Sequence, residues 1–103
     1  MLYDKRWDAE VKLEPWQEAL LDAAKLIEER GWIKYEYSTS RGFCTVGALR
    51  EAAADPFTLG RAYSALHEVI GSEDIVTWND FRAGSKEVIV EALRMAAGVS
   101  NPG

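Results

Sequence analysis

From Pro15 onward, apolar residues recur every three or four positions. Trp16, Ala19, Leu20, Ala23, Ala24 and Ile27 project to one side of a helix, and Glu18, Asp22, Lys25 and Glu29 to the other, the pattern of an amphipathic surface helix. Proline suits a first helical position and Gly31 is placed to end the element in the left-handed conformation, so the spacing predicts a helix over Pro15–Arg30. At residues 32–37 the period shortens to two, Ile33, Tyr35 and Tyr37 alternating with Lys34 and Glu36, which predicts a short half-buried strand. Residues 38–42 read as a polar turn whose hydroxyls can cap a second helix over about 43–54.

Asp55 as N-cap and Pro56 behind it open a third helix, reaching to about Ile70 and stopped by Gly71. Its inward stripe is Leu59, Ala62, Tyr63, Leu66, Val69 and Ile70. Residues 75–78 predict a second brief strand, pairing with 32–37, and Asn79-Asp80 a turn. Ser85 caps a last helix with Val88, Ile89, Ala92, Leu93 and Ala96 facing inward, closed by Gly98. The expected fold is therefore mainly α: a compact single domain of about four helices with at most a short two-stranded β element. Residues 1–14, carrying Tyr3 and Trp7, form an arm that packs on the body, and 99–103 a flexible tail. A doubly wound α/β sheet would need several near-continuous Val/Ile runs, and only Ile75-Val76 hints at one.

A length of 103 residues with 48% hydrophobic and 28% charged side chains fits one domain with one core. The single Cys44 cannot pair within the chain, and no charged and then apolar leader opens the sequence, which favours a reducing, cytoplasmic setting. No apolar run approaches the roughly 20 residues that span a bilayer. A net charge of -5 with Arg41, Arg50, Arg61 and Arg82 scattered singly argues against nucleic acid as partner.

The chemistry to weigh gathers in Gly42-Phe43-Cys44-Thr45-Val46-Gly47-Ala48-Leu49. Projection of the helix puts Thr45, Ala48, Leu49, Ala52 and Ala53 on one broad face and leaves few charges, so it is expected to be central and surrounded by other elements. Gly47 falls on the polar side, where a mid-helix glycine costs about 1 kcal/mol against alanine, so something is expected to approach closely: the arm, the Trp32 segment, or a partner. Cys44 opens the helix, where free amides and the macrodipole lower a thiol pKa. One sharp hypothesis is a Cys44/His67 dyad oriented by Asn79 or Asp80. Another is the Cys-x-x-Gly-x-x-Arg spacing of Cys44, Gly47 and Arg50, which resembles the phosphate loop of cysteine-dependent phosphatases. Phe43 and Glu51 depart from that pattern, and a helix from Val46 would turn Cys44 and Arg50 about 120° apart. Free cysteine is in any case among the most buried residue types. With one His and one Cys, no metal or cofactor is expected.

Three segments in order, Ala23 to Trp32, Phe43 to Arg50, and Trp78-Asn79-Asp80 followed by Glu87-Val88, resemble a family of small uncharacterised proteins from actinobacteria, proteobacteria and their phages. Its motifs are Cys-x-x-Gly-Ala and Trp-Asn-Asp. The resemblance implies a bacterial or phage setting and no catalytic residues. It also implies that the Cys segment meets Trp-Asn-Asp, with Asn79 or Asp80 capping a helix end and Trp78 filling the core beside Gly47.

The function expected is a small non-enzymatic interaction or regulatory protein, acting on another protein or by self-association, with the aromatic arm, Val90 and Met95 as contact points. Two alternatives stand beside it: a cysteine-dependent hydrolase or phosphatase-like enzyme using Cys44, His67, Asp80 and Arg50, and an acidic nucleic-acid mimic.

Overall fold

The computed structural model describes residues 13–71 and 73–98; the expected arm and tail therefore lie almost wholly outside the described residues. Helix α1, Pro15–Arg30, starts at Glu14, where a reciprocal capping box with Gln17 satisfies two end groups. Its stripe of Ala19, Leu20, Ala23, Ala24 and Ile27 is buried. Around it lie α2, Thr45–Ala52, α3, Pro56–Ile70, and α5, Lys86–Ala96. All three pack on α1, and α5 also packs on α3. The hub of the fold is thus α1; the helix after Cys44, expected at the centre, is one of its neighbours. The core joins Leu20, Ile27, Leu49, Leu66, Ile89 and Leu93, each fully buried.

The segment between α1 and α2 differs from the expectation. Residues 32–37 form no strand; the two-stranded antiparallel sheet is instead β1, Ser38–Thr39, with β2, Gly42–Phe43, spanning the stretch read as a turn and the first residue expected in the second helix. Trp32 touches this sheet through one parallel bridge to Phe43. Gly31 (φ 111°) and Gly42 (φ 144°) cross here so closely that a Cβ on either would overlap the other's backbone neighbourhood, and this crossing takes the amides that a longer strand would have used: Phe43 N donates to Gly31 O (3.0 Å) and Ile33 N to Phe43 O (3.1 Å). Because Phe43 is held in β2, α2 starts two residues later than its spacing predicts. It ends at Ala52, with Ala53 already extended (φ −81°, ψ 138°), since the chain must reach the extended N-cap Asp55 ahead of Pro56.

Residues 75–82 are helical where a strand and a turn are expected. Asp74 caps a short helix α4, Ile75–Thr77, which passes into a π-helical turn, Trp78–Arg82, closed by Ala83 N to Trp78 O at 2.9 Å. The described residues thus hold five helices rather than four. The widened turn has a use: Trp78, Asn79 and Asp80 are all buried in succession while Phe81 and Arg82 face out.

In α5, Ser85 caps as expected, accepting from Val88 N at 3.2 Å, but two valines exchange roles. Val90, expected on the wet side, is buried, and Val88, expected inside, is 44% exposed. The reason is that α5 lies between α1 and α3, so its apolar face widens by one position beyond Ile89. Val69 of α3 is likewise partly exposed. At its far end α5 is tied to the start of α1 by Gln17 Nε2 donating to Ala97 O at 2.9 Å. No helix among the described residues is long and apolar enough to cross a membrane.

Candidate functional site

The polar centre of the molecule is the Asn79 amide, 1% exposed. Its Oδ1 accepts from three donors: Trp32 Nε1 (2.9 Å), Thr45 N (2.9 Å) and Thr45 Oγ1 (2.7 Å). Its Nδ2 donates to Ile33 O (3.2 Å) and to Asp80 Oδ1 (2.9 Å). One side chain from the π-helical turn thereby caps the first amide of α2 and holds the 32–37 segment in place. Asp80 continues the clamp, Oδ1 accepting from Tyr35 N at 3.0 Å. The structure therefore brings the Cys segment and Trp-Asn-Asp together, with Asn79 in the capping role. Trp78 is buried in the core.

What lies against Gly47 is the backbone of Tyr37, whose carbonyl oxygen occupies the space a Cβ would take. Of the neighbours expected there, it is the Trp32 segment that fits. The same carbonyl accepts from Cys44 N at 3.0 Å. A glycine on the polar side of α2 is thus explained by packing.

Cys44 is the N-cap of α2; its Sγ accepts from Gly47 N at 3.3 Å, a role expected of the preceding hydroxyls. Thr39 Oγ1 instead accepts from Arg41 N within the hairpin. The thiol is 3% exposed. Burial pushes its pKa up, and the nearby Asp80 charge adds to this, against the opposing pull of the Gly47 amide. A nucleophilic cysteine needs the reverse. His67 is exposed near the end of α3 and faces a different cavity, a groove of about 620 Å³ shared with Tyr63, Asp74 and Val76; among the described residues no hydrogen bond joins it to Cys44. Arg50 lies in the last turn of α2, its guanidinium 5.1 Å from the centre of the Tyr37 ring. The seven residues from Cys44 to Arg50 are an N-cap and helix, with the Gly47 amide already bound to Sγ, so they make no amide cradle for a phosphate. Of the candidate catalytic set, Cys44 and Asp80 line one pocket, and His67 and Arg50 are not among its walls.

Cys44 and Asp80 share a pocket of about 210 Å³ whose other walls are Tyr35, Glu36, Tyr37 and Val76. Tyr35, Tyr37 and Phe81 stand exposed around it, 67%, 53% and 68% respectively, and the Tyr35 and Phe81 rings meet at 5.8 Å between centroids. Tyr35 is the one non-glycine residue among those described with positive φ, 72°. For an aromatic residue this costs about 1–2 kcal/mol, and the Asp80 bond to its amide holds it there. The alternating pattern at 33, 35 and 37 concealed this cluster by reading the tyrosines as inward-facing. The signal that points the other way is Phe81, an aromatic set among polar residues with no apolar partner one helical turn on.

The acid row needed for a nucleic-acid mimic is interrupted, because Glu73 pairs with Arg82 (3.1 Å) and Glu28 with Arg94 (2.9 Å). Among the described residues no three His, Cys, Asp or Glu side chains are grouped to hold a metal ion.

Residues 12–99 match a family of unknown function (DUF6197), and the chain belongs to that family. No curated protein and no solved structure matches it.

Proposed function

We propose that this protein is a small non-enzymatic interaction module of bacterial or phage origin, working in the cytoplasm, and that it meets a protein partner through the face formed by Tyr35, Tyr37 and Phe81. The carrying observation is Tyr35: a large aromatic residue held at φ 72° by a buried carboxylate, with its ring turned out to solvent beside Phe81. Backbone strain of this kind is retained where the surroundings enforce it, and it gathers at ligand clamps and switch regions. Exposed tyrosine and phenylalanine around a small pocket are also the residues that dominate binding hot spots. The buried, unactivated thiol of Cys44 removes the main support for the enzymatic alternative. The bacterial or phage setting rests on the motif resemblance, and the cytoplasmic one on the free Cys44.

The test is site-specific photocrosslinking in cells, with the crosslinking residue placed at Phe81 or, for comparison, at the exposed Lys25 of α1. An adduct of defined mass from position 81 and none from position 25 is expected, and it also distinguishes a second copy of this chain from a different protein. Equal adducts from both positions, or none from 81, would overturn the proposal.

A further inference from the structure

We infer that the pocket beside Asp80 takes a cationic side chain, a lysine ammonium or an arginine guanidinium presented by the partner; this rests on the interaction reading above. Asp80 is 8% exposed. Its Oδ1 is committed to Tyr35 N and Asn79 Nδ2, while Oδ2 has no hydrogen-bond partner among the described residues, and Asp80 lines the cavity. A carboxylate oxygen with unused acceptor capacity at a small pocket is a strong acceptor for an incoming charged N–H.

The walls select the same chemistry. Tyr35, Glu36, Tyr37 and Val76 line the pocket, residue types whose rings, carboxylate and apolar surface suit a cation on an alkyl stem. Arg50, stacked 5.1 Å from the Tyr37 centroid, shows that this ring already draws a guanidinium. Among the described residues, Lys34 lies over Trp32 and Arg82 pairs with Glu73. At about 210 Å³ the space suits one side chain, below the roughly 300 Å³ where small-molecule sites begin. An anion would meet two carboxylates, and a hard divalent cation would find too few oxygen ligands.

The experiment is a titration of the full-length, ¹⁵N-labelled protein at low salt with Nα-acetyl-lysine amide, Nα-acetyl-arginine amide and, as uncharged control, Nα-acetyl-norleucine amide. Saturable shifts at the Tyr35, Tyr37, Cys44 and Asp80 amides are expected from one or both cations and not from norleucine, and the stronger of the two identifies the partner's residue. Asp80→Asn keeps an oxygen for Tyr35 N and Asn79 Nδ2, so its fold should persist while cation affinity falls roughly tenfold or more. Tyr37→Leu, which leaves the Tyr37 carbonyl in place, should also weaken binding. Equal shifts from norleucine, unchanged affinity in Asp80→Asn, or no shifts from any probe would overturn the cation assignment. Crosslinking at position 81 stays independent: adducts without cation shifts leave the docking face standing, and cation shifts without adducts leave only the pocket.

Discussion

Thr45 gives both its backbone amide and its hydroxyl to one atom, Asn79 Oδ1, at 2.9 and 2.7 Å. The first amide of α2 is thus capped by a residue 34 positions away in sequence, and the same oxygen also takes the Trp32 indole N–H. Three donors from two segments converge on one buried acceptor.

Asn79→Ala should therefore be among the most damaging substitutions in the chain. It strands three donors in or beside the core, and each buried unsatisfied group costs about 1–3 kcal/mol. A loss of roughly 3–5 kcal/mol is expected by urea unfolding, a large share of a small domain's stability. Thr45→Val, which removes only the hydroxyl donor, should cost about 1 kcal/mol. Similar losses for the two variants would show that Asn79 is not the hub.

Two helical glycines should respond to alanine with opposite signs. At Gly47 a methyl would overlap the Tyr37 carbonyl, and the displaced backbone would cost more than the helix propensity returns, for a net loss of roughly 2 kcal/mol. Gly60, exposed in α3 with nothing close to its missing Cβ, should gain about 0.5–1 kcal/mol. Thermal unfolding of the two variants side by side decides this.

Cys44 should resist alkylation in the native protein and react only as the chain unfolds, with a rate that tracks denaturant. Its pKa is raised above the ordinary value of 9.0, chiefly by burial. The neutral thiol is therefore the form the fold favours. The resulting stabilisation is fully present below about pH 9 and is lost as pH rises through the folded-state pKa, because the unfolded chain ionises first. The alkaline fall in melting temperature should be shallower in Cys44→Ala than in the parent protein. Rapid native-state alkylation near neutral pH would contradict this account and revive thiol chemistry.

Tyr35→Asn should separate stability from recognition. Asparagine tolerates positive φ better than tyrosine, so relief of strain offsets the lost contact with Phe81, worth about 0.5–1.5 kcal/mol. A change in stability within about 1 kcal/mol is expected. Crosslinking from position 81 should nevertheless fall sharply. A large loss of stability would mean that the ring is structural.

The elements whose signals are local were legible in the residues alone. The stripe and proline of Pro15–Arg30, the Asp55-Pro56 start of α3 and the Ser85 cap of α5 each act within a turn or two of the residue concerned, and each stands in the structure where its pattern placed it. Gly47 also announced a close approach, because a glycine inside a helix has a cost that some neighbour must justify. The rest depended on contacts between distant parts of the chain. The alternation at residues 32–37 could not show that their amides and carbonyls would be spent on Phe43, Asn79 and Asp80 instead of on a partner strand. The exchange of Val88 and Val90 followed from α5 having two neighbours. The pocket beside Asp80 draws on residues 35–37, 44, 76 and 80. Its parts come together because hydrogen-bond partners some 45 positions apart in the chain satisfy one another, and pairings at that distance leave no period in the sequence.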